Sequence, residues 1–237
     1  MSSYAVLVGR LGAVATLGLL LSGCLADKLT TGSIMPTAAS REVSTATSPE
    51  AREARWRELA AKYAPAYQKN PNDAATAYAY GVTLRALGQR AHALAVLEAA
   101  SVKNPKQTQI LAAYGRALSD VGRYEDALRV YERAHTPDRP DWRILNAQGA
   151  ALDQLGRPGE ARGFYDAALK LAPGEPAILS NLGLSYALSK DLAKAETTLA
   201  QAAASPNASE TVRANLVMVR GLRAGDPTPR KPAKQRT

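Results

Sequence analysis

The chain has 237 residues, 46% hydrophobic and 5% aromatic, enough apolar material for a core, and its one cysteine excludes an intramolecular disulfide framework. The formal net charge of +9 looks suited to nucleic acid until it is located: from Arg220 onward six Lys or Arg stand against one acid, Asp226, so that tail carries +5, and setting Arg10 aside as well leaves +3 for the remainder. A surface of mixed charge argues against a basic stripe for phosphates.

Residues 1–23 read as an export signal, in which Arg10 precedes an apolar run from Leu11 to Leu20 and small residues follow. The run ends in Leu21, Ser22, Gly23 and Cys24, which resembles the bacterial lipobox, cut before a cysteine that receives lipid. An uncleaved anchor from Ala5 to Leu25 is the competing reading. Arg10 lies inside that span, and its uncharged part falls short of the ~20 residues a spanning helix needs. Acylation of Cys24 would fix the protein firmly, because each buried CH₂ contributes about 0.8 kcal/mol and two or more chains hold where one exchanges. Leu25, rather than Asp, follows the cysteine; the resemblance then implies the outer membrane, facing the periplasm.

Residues 24–48 are rich in Ser, Thr, Ala and Gly without apolar period and read as a flexible tether. Ser48 and Pro49 supply a cap and a first-turn proline, so a helix is predicted over 49–71 with Trp56, Leu59, Ala60, Tyr63 and Tyr67 on one face. Pro65 should kink it. Asn70 and Pro71 stand 34 residues before Asn104 and Pro105, which marks this helix as the second half of a degenerate repeat.

From Ala74 to Ser209 a helix hairpin recurs four times, over 74–107, 108–141, 142–175 and 176–209. Gly81, Gly115, Gly149 and Gly183 form one column at a spacing of 34; Ala93, Ala127, Ala161 and Ala195 form a second; Ala100, Ala134, Ala168 and Ala202 form a third. Small residues in register let two helices approach closely. Between them Leu84, Leu118, Leu152 and Tyr186, then Leu97, Tyr131, Tyr165 and Leu199, should form the core. Gly88, Gly122 and Gly156 should end the first helix of three copies. In the fourth, Lys190 and Asp191 replace that signal, and Asp191 is expected to cap the next helix. Residues 210–224 continue as a capping helix with Val217 in the glycine column, and 225–237 form a basic tail with nothing to bury.

The period and its small columns resemble the tetratricopeptide (TPR) pattern, and the expected fold is all-α, a helix-hairpin solenoid of four full repeats with terminal capping helices. The resemblance implies that the first helices line a concave groove. The positions that would face it are Tyr78, Val82 and Arg85, Gln109 and Arg116, Arg143, Asn146 and Asp153, and Ser180 and Leu184. The Lys and Asn set with which some TPR domains clamp a terminal carboxylate is not matched.

Catalytic chemistry is not predicted. His92 and His135 lie on neighbouring second helices without a carboxylate or cysteine cluster. Gly183 to Ala187 echo a serine-hydrolase elbow but fall inside a repeat helix. No metal, cofactor, nucleic acid or small-molecule substrate is expected.

Two segments carry a narrower likeness. Asn146-Ala147-Gln148-Gly149-Ala150-Ala151-Leu152-Asp153 and Leu179-Ser180-Asn181-Leu182-Gly183-Leu184-Ser185-Tyr186-Ala187-Leu188-Ser189 are similar to the TadD family of TPR lipoproteins of the tight-adherence (Tad/Flp) pilus apparatus. That resemblance implies a non-enzymatic outer-membrane scaffold, whose protein partners would be the secretin or other pilus assembly components. A periplasmic adaptor recruiting cell-wall enzymes is the alternative reading.

Overall fold

The computed structural model describes residues 48–225 apart from 137 and 139. The export signal, the lipobox with Cys24, the tether up to residue 47 and the tail beyond Gly225 lie outside the described residues. Among the described residues ten helices follow one another: α1 Pro49–Lys69, α2 Ala74–Ala86, α3 Arg90–Lys103, α4 Thr108–Asp120, α5 Tyr124–Ala134, α6 Trp142–Gln154, α7 Pro158–Leu171, α8 Pro176–Leu188, α9 Leu192–Ala204 and α10 Glu210–Arg223. No described helix is long and apolar enough to cross a membrane.

Local chemistry sets the boundaries. Asp73, Asp141 and Asp191 each accept a backbone N–H of the first turn they precede, from Thr76 at 2.8 Å, Arg143 at 2.8 Å and Lys194 at 3.1 Å. Ser48 does the same for Ala51 at 3.1 Å. All four hairpin turns close with one shared bond, from Gln89, Arg123, Arg157 and Asp191 N–H to the carbonyls of Leu84, Leu118, Leu152 and Tyr186, at 2.9 to 3.0 Å. That bond needs a left-handed residue just before the donor. Gly122 supplies it at φ 81°, and Lys190 adopts φ 63° without being glycine.

The glycine column is a packing device. A Cβ at Gly81, Gly115 or Gly149 would lie 2.5 Å from Leu97, Tyr131 or Tyr165, and one at Gly183 would lie 2.7 Å from Leu199. The bulky residue of each second helix thus fills the space that the first helix leaves empty, and all four bulky residues are buried. Leu84, Leu118 and Leu152 are buried as well. Tyr186, expected to join them, is only half-buried: its ring lies beside the Arg162 guanidinium at 5.3 Å and the Lys194 ammonium at 5.6 Å. A phenol at that place keeps its polar end wet while its face meets cations.

The ends differ from the middle. In α1, Trp56 and Leu59 are buried against the first full repeat, with Tyr63 packed beside them. The predicted kink does not break the helix: α1 runs through Pro65 as one element. Pro65 and Ala61, whose carbonyl loses its partner, are both exposed, so water can satisfy the orphaned group. At the other end α10 buries Val212, Leu216 and Val219 against the stack and leaves Val217 50% exposed, since no second helix covers the place glycine holds elsewhere.

Neighbouring first helices, α2, α4, α6, α8 and α10, approach one another along the whole stack, whereas neighbouring second helices do so at most marginally. The stack therefore curves with the first helices on its inner side.

Candidate functional site

The inner face is built from first helices, and its expected residues fall into two groups. Val82, Arg85, Gln109, Arg143 and Asn146 are half-buried, while Tyr78, Arg116, Asp153, Ser180 and Leu184 are buried. Exposure decides what a partner could touch, and Val82, Gln109, Arg143 and Asn146 are the accessible ones, since the Arg85 side chain is only 9% exposed.

Several of these side chains tie one repeat to the next. The Arg85 guanidinium forks onto Asp120 of the following first helix, with Nε to Oδ2 at 2.5 Å and a terminal nitrogen to Oδ1 at 3.1 Å. Asn181 donates its amide N–H to Asn146 Oδ1 at 3.0 Å, and Asn215 donates to Ser180 Oγ at 3.0 Å. In all three pairs the partners are 35 residues apart, one more than the repeat. Residues one place out of register meet because the side of a first helix that faces the next repeat lies one residue's turn, ~100°, from the side that faces the preceding one. Asp120, Asn181 and Asn215 were absent from the expected set, and polar pairs at the period plus one are the signal that finds them.

Arg116 is 5% exposed, and burial lowers its pKa, an effect opposed by Tyr131 and Tyr78 nearby. An arginine nevertheless stays charged. The Arg143 guanidinium lies 4.6 Å from the centre of the Trp142 ring and 3.8 Å from Asp141. Asn146 retains its two amide donors and Asn181 its amide oxygen, both on half-exposed side chains, so this part of the face can bond to the backbone of a bound chain.

Asp153 is 7% exposed and has both oxygens engaged, accepting Tyr165 Oη–H at 2.7 Å and Ser185 Oγ–H at 2.8 Å. Burial pushes its carboxyl up to about 6, while these two bonds and the Arg162 charge pull the other way. Burial and the neighbouring carboxylate hold the Tyr165 hydroxyl well above its ordinary value, so it remains a donor. Asp153 is thus a joint between α6, α7 and α8 rather than part of an open groove.

The two histidines act in packing and turn geometry. His92 stands edge-on to Tyr80 at 5.5 Å, and His135 Nδ1 accepts the Asp141 N–H at 3.4 Å. Ser185, inside the elbow-like segment, is fully buried in α8 and donates to Asp153. Among the described residues no group of three or more His, Cys, Asp or Glu could hold a metal ion.

Comparison with known proteins agrees with this architecture. The tetratricopeptide repeat model matches three overlapping stretches, residues 78–141, 113–176 and 146–209. The chain belongs to the tetratricopeptide repeat family. Among solved structures it is similar to a thermophilic TPR protein of Thermus thermophilus, at 20% identity over 77% of this chain and 99% of that one, with TM-score 0.62. It is also similar to a chain of the APC/C hetero-tetramer Cut9-Hcn1, at 17% identity over 87% of this chain and 43% of that one, with TM-score 0.63. MamA AMB-1 is similar at 20% identity over 70% of this chain and 96% of that one, with TM-score 0.54. No curated protein matches the chain.

Proposed function

We propose that this protein is a non-enzymatic scaffold, held at the outer membrane by lipid on Cys24, that binds protein partners on the inner face of its TPR stack during assembly of a Tad/Flp-type pilus. The secretin is the partner this reading puts first. One observation carries it: a lone cysteine placed as in a lipobox stands ahead of a solenoid whose inner face offers polar groups such as the Asn146–Asn181 pair.

The segments that resemble the pilus lipoproteins are a stretch of α6 and a stretch of α8 that ends on its C-cap, Ser189. They contain Asn146, Asp153, Ser180, Asn181 and Ser185, each of which bonds to a neighbouring helix. The likeness therefore falls on residues that join neighbouring first helices. Purification of the tagged protein from detergent-extracted outer membranes, beside Cys24→Ala, tests the reading. Secretin or pilus subunits recovered with the wild type and lost with the variant are expected. Cell-wall enzymes in their place, with normal pili in a deletion strain, would favour the adaptor reading.

A further inference from the structure

Asp153 is the buried carboxylate at the centre of a three-helix junction. Its oxygens accept from Tyr165 on α7 and from Ser185 on α8, and among the described residues no cation bonds to it. Of the groups facing it, Tyr165 is uncharged, Ser185 has no charge to gain, and Arg162 acts only through its field. The Arg162 guanidinium is engaged elsewhere, donating to Ser189 Oγ at 2.8 Å and lying against the Tyr186 ring.

The Ser185 hydroxyl has a second acceptor within reach. Pro158 carbonyl, at the start of α7, lies 3.4 Å from Ser185 Oγ, against 2.8 Å for Asp153 Oδ1. A hydroxyl has one proton to give and two lone pairs to receive. When Asp153 is ionised, that proton must go to the carboxylate. When Asp153 carries a proton it can itself donate to Ser185 Oγ, and Ser185 can turn to the Pro158 carbonyl.

We propose that the junction between the third and fourth repeats is a proton-responsive joint: one proton on Asp153 decides how firmly α8 is held on α6 and α7, and Ser185, bonding to the carboxylate in one state and to the Pro158 carbonyl in the other, sets the pH at which the change falls. The neutral form is buried without a charge and completes a chain of bonds from α6 through α8 to α7. The ionised form is a desolvated anion held by two hydroxyls, which is relieved when α8 lifts and water enters. The Asn146–Asn181 bond spans the same two first helices, so the inner face is coupled to the joint. Other repeats lack the device, because the matching places hold Arg85, Ser119 and Ala187.

The test is hydrogen exchange on the full chain at pH 5 and pH 7.5, corrected for intrinsic exchange rates, with α8 read against α4 in the same molecule. The α8 protection ratio should fall about tenfold on going to pH 7.5, the part of the shift in Asp153 that this interval covers. Asp153→Asn should give the same ratio at both values. Ser185→Ala removes a donor from the ionised form, so it should move the midpoint of the change upward in pH and leave the change itself in place. A wild-type ratio that does not vary, a variation that survives in Asp153→Asn, or an unmoved midpoint in Ser185→Ala would overturn the proposal. Should Asp153→Asn fail to fold by circular dichroism, Asp153→Ser, which copies Ser119 of the second repeat, serves as the neutral variant.

Discussion

Gly115 lies directly beneath the ring of Tyr131, with space for a hydrogen and none for a methyl: a Cβ there would sit 2.5 Å from the ring edge. Gly149 has the same relation to Tyr165. Both rings are buried and enclosed, so neither can swing away. Gly115→Ala and Gly149→Ala should each lose about 1–3 kcal/mol by overpacking, in spite of alanine's better helix propensity. Gly163, in the middle of α7, has open space where a Cβ would go. Gly163→Ala should therefore gain about 0.5–1 kcal/mol. Urea midpoints of the three variants check the pattern, and a loss at Gly163 equal to the other two would mean that the facing ring is not what excludes a side chain from the column.

The turn after α8 tests the backbone itself. Lys190 holds φ 63° where three other copies have glycine, and the closing bond from Asp191 N–H to Tyr186 carbonyl forms all the same, at 3.0 Å. A side chain in the left-handed region costs about 1–2 kcal/mol, part of which glycine returns through its freer unfolded chain. Lys190→Gly should raise stability by about 0.5–1 kcal/mol, measured as a higher urea midpoint at unchanged slope.

These two cases show what the sequence made legible. A column of small residues facing a column of bulky ones is a statement about volume, and volume is conserved from one copy to the next; hence the helices and the contact of each glycine with a bulky residue could be read in advance. Side-chain roles were not equally legible. Arg85, Ser119, Asp153 and Ala187 occupy the same place in four copies, yet one forms an ion pair, one lies 3.4 Å from a tyrosine hydroxyl, one bridges three helices and one packs in the core. A shared position fixes direction only. What a side chain does there depends on its neighbour in the next repeat, one place out of phase, and a fixed period does not display that offset.

Arg85 and Asp120 illustrate the consequence. Each side chain is 9% exposed, and the two close the inner face between the first and second repeats. Desolvation makes such a pair of little net benefit against apolar replacements, but removing one partner strands the other. Asp120→Ala should cost about 3 kcal/mol or more, and Arg85→Met with Asp120→Leu should recover most of that loss. A double-mutant cycle read by thermal or urea unfolding gives the coupling. Additive losses in the double variant would show that the two charges act independently.

The two buried tyrosines that face the glycine column separate packing from hydrogen bonding. Tyr131 Oη lies 3.4 Å from Ser119 Oγ, a weak contact, whereas Tyr165 Oη–H donates at 2.7 Å to the Asp153 carboxylate. Phenylalanine fills either site almost as well. Tyr131→Phe should therefore change stability by less than about 1 kcal/mol at any pH, while Tyr165→Phe should lose about 1.5–3 kcal/mol at pH 7.5, where a bond to an ionised group is removed. The sign of the pH effect follows from the raised carboxyl. Asp153 is held near 6 in the fold, against 3.8 ordinarily, so the folded protein takes up its proton before the unfolded chain does, and the ionised form carries the penalty between and above those values. Tyr165→Phe takes away a donor that eases this penalty, and its loss should shrink as the pH falls from 7.5 to 5 and Asp153 becomes neutral. Unfolding of both variants at the two pH values decides the matter: equal losses for Tyr165→Phe at pH 5 and 7.5 would mean that the hydroxyl serves packing and not the charge on Asp153.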